Sequence, residues 1–189
     1  MTTDSSQPIH PAAQPSAYQT SLLDRLGDQD PAEVQARTPA EVRRLAADAG
    51  PLLRERPEPG EWSVLELIGH IVDAELVVGG RYRWILAHDR PALMPYDQDL
   101  WADRLRHNEA DLDDLIAPFV AMRAANLALW RRMPVEERAR YGIHEERGPE
   151  SYELTFRLLA GHDLFHVEQA WQTLATVRGR ASAGRRESN

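Results

Sequence analysis

The chain has 189 residues, 42% of them apolar and 28% charged, which is one domain's worth of a folding sequence. Its 22 basic residues against 30 acidic ones give a net charge of −8, the wrong sign for tracking phosphates, so no nucleic-acid partner is expected. Every basic residue is Arg and Cys is absent, which excludes Schiff-base chemistry, a P-loop lysine, disulfides, thiolate metal sites and a cysteine nucleophile.

Residues 1–17 hold Pro8, Pro11 and Pro15 among small polar residues, and residues 179–189 are rich in Arg, Ser and Gly. Both stretches read as disordered tails around a single domain over 18–178. The first residues contain no apolar h-region, and no run approaches the roughly 18 apolar residues of a membrane span. A cytoplasmic protein without membrane association is therefore expected.

A short helix is predicted from Tyr18 to Leu26. The first long helix is expected at Thr38-Pro39-Ala40-Glu41, a capping box with Pro at the first helical position, followed by Val42, Leu45, Ala46, Ala49 and Leu53 at helical spacing. Pro57 and Pro59-Gly60 then break the chain. Ser63-Val64-Leu65-Glu66 is a second capping box, leading a stripe of Leu67, Ile68, Ile71, Ala74, Val78, Tyr82 and Ile85 to about Ala87. An irregular connection with Pro91 and Pro95 precedes a third long helix, with Leu112, Leu115, Ile116, Phe119, Met122, Leu127 and Trp130, kinked by Pro118 and ending before Pro134. A fourth starts after Gly148-Pro149 with Ser151 as N-cap and carries Leu154, Leu158, Leu159, Phe165, Gln169 and Thr173 on one side. Alternating strand patterns are missing, so the predicted class is all-α, and four striped helices bury their stripes most simply as a four-helix bundle.

The chemistry of such a bundle lies in the polar residues that occupy its stripes. His162 and His166 are four apart, about 40° around the helix axis, so both rings can face one atom. With seven His in the chain such a pair arises by chance in about one sequence in four, and it gains weight only because it continues the inward line of Leu158, Leu159 and Phe165. His70 lies between Leu67, Ile71 and Ala74 on another inward stripe; taken alone it reads as a core histidine with a hydrogen-bond partner. Three desolvated imidazoles together lack partners unless a cation neutralises their lone pairs. A Zn²⁺ or Ni²⁺ ion on three His keeps a position for water or a thiol, and so makes a nucleophile near neutral pH without any nucleophilic side chain.

The segments Pro59-Gly60-Glu61-Trp62-Ser63, Gly69-His70-Ile71-Val72-Asp73 and Gly161-His162-Asp163-Leu164-Phe165-His166-Val167-Glu168-Gln169 resemble the DinB superfamily, including its YfiT and bacillithiol-transferase-like members. The resemblance implies a four-helix bundle in a variant topology, often homodimeric, with a divalent metal on His70, His162 and His166. It also implies a transferase or isomerase using a small thiol of the bacillithiol, mycothiol or glutathione type. Glu75 stands where some thiol-transferase-like members have a further His, so the substrate does not carry over.

Around the trio, Asp73 is expected either to orient a metal-bound His or to be a solvated helix acid, and Gln169 to bind a water, a ligand or a carbonyl. Arg123 is expected to form a buried ion pair or to snorkel, with a clamp on a substrate carboxylate as the alternative. Glu66 reads as a capping residue, Asp163 as a contact to a neighbouring helix, and His144 as a surface-loop residue rather than part of the site mouth. No role is expected for His10, His88 or His107, and the five Trp residues read as core or interface fillers. The leading functional expectation is transfer of a metal-bound small thiol to an electrophilic small molecule. The alternatives are hydrolysis by metal-bound hydroxide, or a non-catalytic metal-binding protein of the stress response.

Overall fold

The structure is a computed structural model and describes residues 16–187. Six α-helices make up most of it: α1 (Ala17–Leu26), α2 (Pro31–Ala49), α3 (Val64–Ala87), α4 (Gln98–Arg104), α5 (Leu112–Arg132) and α6 (Tyr152–Glu187). The long ones, α2, α3, α5 and α6, form the expected all-α four-helix bundle. Residues 1–15 of the expected N-terminal tail lie outside the described residues, while Ser16 caps α1 and accepts a hydrogen bond from the Gln19 amide. At the other end α6 continues through Glu187, past the start of the expected tail at 179.

The capping box at Ser63 forms as read: its hydroxyl accepts from the Glu66 amide at 3.2 Å, and Glu66 Oε2 accepts from the Ser63 amide at 2.8 Å. Arg56 clamps the same carboxylate, so Glu66 is used up structurally. Ser151 likewise caps α6, accepting from the Leu154 amide at 3.0 Å. The expectation for α2 was wrong in its start. The helix begins eight residues earlier, at Asp30-Pro31, another N-cap followed by Pro at the first helical position, and runs straight through Thr38-Pro39. A proline inside a helix leaves the carbonyl four residues before it without its amide partner, here Gln35. That carbonyl accepts from Arg123 Nη1 at 2.9 Å, so a tertiary contact offsets what the local sequence lacks.

Val42, Leu45, Leu67, Ile68, Ile71, Ile116, Phe119, Ala170 and Leu174 form the main core between the four long helices. A second cluster around Tyr82, Ile85, Trp130, Tyr152 and Phe156 closes the other end, with Trp130 and Phe156 stacked at 3.9 Å between centroids. Helix α1 lies against α6 so closely that a Cβ on Gly161 would meet the Leu22 carbonyl oxygen at 2.2 Å.

The strands that sequence patterning did not show are three very short ones, β1 (Ala92–Leu93), β2 (Tyr141–His144) and β3 (Gly148–Ser151). β2 and β3 form an antiparallel hairpin pairing Tyr141 with Ser151 and His144 with Gly148, and β1 adds in parallel to β2. Gly148 has φ +76°, the left-handed conformation that lets the hairpin close tightly. Four residues, Tyr-Gly-Ile-His, are too few for alternation to be visible, yet they carry His144 from a presumed surface loop to a buried position. No described helix is long and apolar enough to cross a membrane.

Candidate metal centre and its cavity

Helix α3 supplies His70 and helix α6 supplies His162 and His166, and all three are buried. His70 Nε2 lies 2.9 Å from His162 Nε2 and 3.2 Å from His166 Nε2. Two unprotonated imidazole nitrogens at this distance repel, and one proton can relieve only one contact at a time. Three nitrogens at about 2.0–2.1 Å from one Zn²⁺ at tetrahedral angles would sit about 3.3 Å apart, close to the spacing found. The donor set therefore fits a divalent cation: three neutral nitrogens converging on one point, with a cavity on the side they leave uncovered.

Tautomer and protonation agree with this. His166 Nδ1 is 2.9 Å from Gln169 Oε1, an oxygen that only accepts, so Nδ1 carries the proton and Nε2 its lone pair. Burial and the neighbouring rings of His166 and His107 lower the His70 pKa to about 3, and burial lowers that of His166 to about 4. Burial also drives His162 well below the ordinary histidine value, with His166, His70 and Arg123 adding to the effect. All three are thus neutral donors at pH 7. His70 Nδ1 and His162 Nδ1 have no hydrogen-bond partner among the described residues.

The other candidates fall out differently. Gln169 takes the role of a positioning residue on His166. Asp73 is not on a trio histidine: its Oδ2 lies 2.6 Å from Nε2 of His107, a residue for which no role was expected. His107 sits on the one-turn 3-10 helix His107–Glu109 and rests on Gly69, where a Cβ would stand 2.6 Å from its ring. The only sequence trace of this contact is the glycine before His70. Arg123 takes the ion-pair alternative rather than the substrate clamp. Its Nε donates to Glu75 at 2.7 Å, and Nη1 donates to both Asp163 and the Gln35 carbonyl, all of them buried. Asp163 also accepts from Thr38 Oγ1 at 2.8 Å, and Glu75 from Asn126 Nδ2 at 2.6 Å.

A cavity of about 500 Å³ opens from the trio. It is walled by Leu22 of α1, Ala74, Val78 and Arg81 of α3, Tyr96, His144, and Leu158, Leu159 and Phe165 of α6. Burial raises the Tyr96 pKa far above its ordinary value, so this phenol keeps its proton.

Residues 17–170 match the family model of the DinB superfamily. The chain belongs to the DinB superfamily. YfiT from Bacillus subtilis, described provisionally as a metal-dependent hydrolase with an unusual four-helix bundle topology, superposes with a TM-score of 0.72 over 92% of this chain and 93% of its own, at 18% identity. At that identity the likeness is one of fold. A provisionally named metal-dependent hydrolase of Geobacillus thermodenitrificans is 35% identical over 43 residues, 23% of this chain and 24% of its own. One of Bacillus cereus strain B4264, with the same provisional name, is 22% identical over 108 residues, 57% of this chain and 62% of its own. The matched regions thus span less than two thirds of these curated relatives.

Proposed function

We propose that His70, His162 and His166 hold one divalent metal ion, Zn²⁺ or Ni²⁺, and that the protein is a metal-dependent hydrolase of a small molecule bound in the adjoining cavity. The observation that carries this reading is the convergence of three neutral Nε2 atoms at the wall of a cavity large enough for a drug-sized ligand. A bound ion would supply Lewis acidity, polarising a substrate carbonyl and lowering the pKa of a coordinated water or thiol. The chain's own residues provide the setting. Gln169 holds the His166 ring in one tautomer, the apolar wall of Leu158, Leu159 and Phe165 limits water, and the protonated Tyr96 hydroxyl can donate a hydrogen bond into the cavity. The provisional names of the relatives support hydrolysis.

Thiol transfer remains as a second reading, favoured by one feature of the cavity. Of the two acids lining it, Glu150 is engaged by Arg147 and Gln19 and Glu146 is solvent-exposed, so among the described residues no buried carboxylate is free to take a proton from water. A thiol is far more acidic than water and needs no such base. Elemental analysis of freshly purified protein tests the metal, with one equivalent of Zn or Ni expected. Ester and amide hydrolysis, compared with glutathione conjugation of a chlorodinitrobenzene, separates the two reactions. Protein that never takes up a divalent ion would end both readings.

A further inference from the structure

Arg81 is 5% exposed and lines the cavity, yet no carboxylate lies within 4.0 Å of it among the described residues. Its Nη2 donates to the Met94 carbonyl, and its Nε has no partner among the described residues. A buried guanidinium without a close counter-ion is costly in a folded protein, and the other buried arginine among the described residues, Arg123, is matched by two carboxylates.

A polar neighbour sharpens the anomaly. His144 is 1% exposed, and its Nδ1 accepts from the Glu146 amide at 3.2 Å, which leaves the proton on Nε2. That Nε2 stands 3.4 Å from Arg81 Nη2. Two N–H donors therefore face each other, and among the described residues no side chain places an acceptor between them. An anionic oxygen would satisfy both.

We infer that Arg81 and His144 form a carboxylate anchor for the substrate, at the end of the cavity away from the three histidines. The spacing along α3 sets the shape of the ligand. His70, Ala74, Val78 and Arg81 all line the cavity, at helical positions i, i+4, i+8 and i+11. Eleven residues of helix separate the Cα atoms of His70 and Arg81 by about 16 Å. The side chains reach across part of that span, so the carboxylate, held on Arg81 rather than on the histidines, is a handle and not the reacting group, and a short apolar segment lies over Ala74 and Val78 between the two. A monoanion is preferred to a phosphate dianion because Glu150 adds negative charge to the same region, even though Arg147 and Gln19 engage it. The substrate class is a small apolar molecule with a carboxylate at one end and a metal-reactive group at the other. This deepens the hydrolase reading, on which the catalytic part of the statement rests; the anchor itself does not depend on a metal.

The test is isothermal titration of 4-phenylbutyrate and of its neutral amide into the full chain, as purified and after metal stripping, with metal content measured separately. The acid is expected to bind at least about tenfold more tightly than the amide in both forms, and R81M to abolish that preference while still binding the amide. Equal binding of acid and amide, no binding of either at about 10 mM, which is about tenfold above the usual upper range of substrate affinities, or a preference that survives R81M would overturn the anchor. So would a preference that vanishes on stripping alone, since the anion would then belong to the metal. Because the acid and amide are compared first on the unmodified chain, the result stands even if R81M fails to fold, and H144F then serves as the second variant with a weakened preference expected. Absent metal with an intact acid preference would sink the hydrolase reading and leave the anchor.

Discussion

Replacing Arg123 with Met tests whether the polar centre of the bundle is structural. Arg123 is 1% exposed and is the one cation between two buried carboxylates, Glu75 and Asp163, and it also satisfies the Gln35 carbonyl freed by Pro39. Met fills much of the same volume but leaves that carbonyl without its donor and both acids without a counter-charge, Asp163 keeping only Thr38 and Glu75 only Asn126. Breaking a buried pair by removing one partner costs about 3–5 kcal/mol. For a domain of this size, that is a fall in Tm of about 6–20 °C. Urea unfolding of the metal-stripped chain, followed by tryptophan fluorescence, gives the free energy directly. The cost should shrink as the pH is lowered. Burial is the main cause of a Glu75 pKa raised already in the native protein, and loss of the guanidinium raises it further. A carboxyl whose folded pKa lies above its unfolded value binds more protons when folded, so it loses stability as pH rises. The stability difference between R123M and the unmodified stripped chain is therefore expected to be smaller at pH 5 than at pH 8, the histidine contribution being common to both, and E75Q combined with R123M to recover part of the loss. A cost below about 1 kcal/mol, or one that does not change with pH, would refute the ion-pair assignment.

H162A is expected to lose the metal entirely, and Q169L to weaken it by about 10- to 100-fold by freeing the His166 ring, both read by competition with a chromogenic chelator. The stripped protein is expected to lose stability as pH falls from about 6.5 toward 4. In that window the unfolded chain protonates His70 and His166 while the folded chain, with pKa values of about 3 and 4, does not. The slope in urea unfolding should be about 1.4 kcal/mol per pH unit for each ring, and a flat profile would show the rings to be solvated. G161A places a methyl against the Leu22 carbonyl and is expected to destabilise by about 1–3 kcal/mol despite the better helix propensity of Ala; a raised Tm would mean that α1 does not pack there.

The amino-acid sequence by itself determined the helices whose signals are local. The Ser63 capping box, the apolar stripe of α3, the stop before Pro134 and the Ser151 cap each depend on residues within a turn or two of one another, and all were readable. The i, i+4 pair of His162 and His166 was readable for the same reason, and His70 because its stripe was. What only the tertiary structure decided is which distant partner a polar side chain meets. Thr38-Pro39 looked like a helix start because nothing local showed that Arg123, 84 positions away, would satisfy the carbonyl released by Pro39. His107 and His144 looked idle because their environments come from Asp73 and Gly69 in one case, and from a three-strand pairing and Arg81 in the other. Helical periodicity repeats every few residues and can be read along the chain, whereas the burial and pairing of a charged group is settled only when elements far apart in sequence pack together.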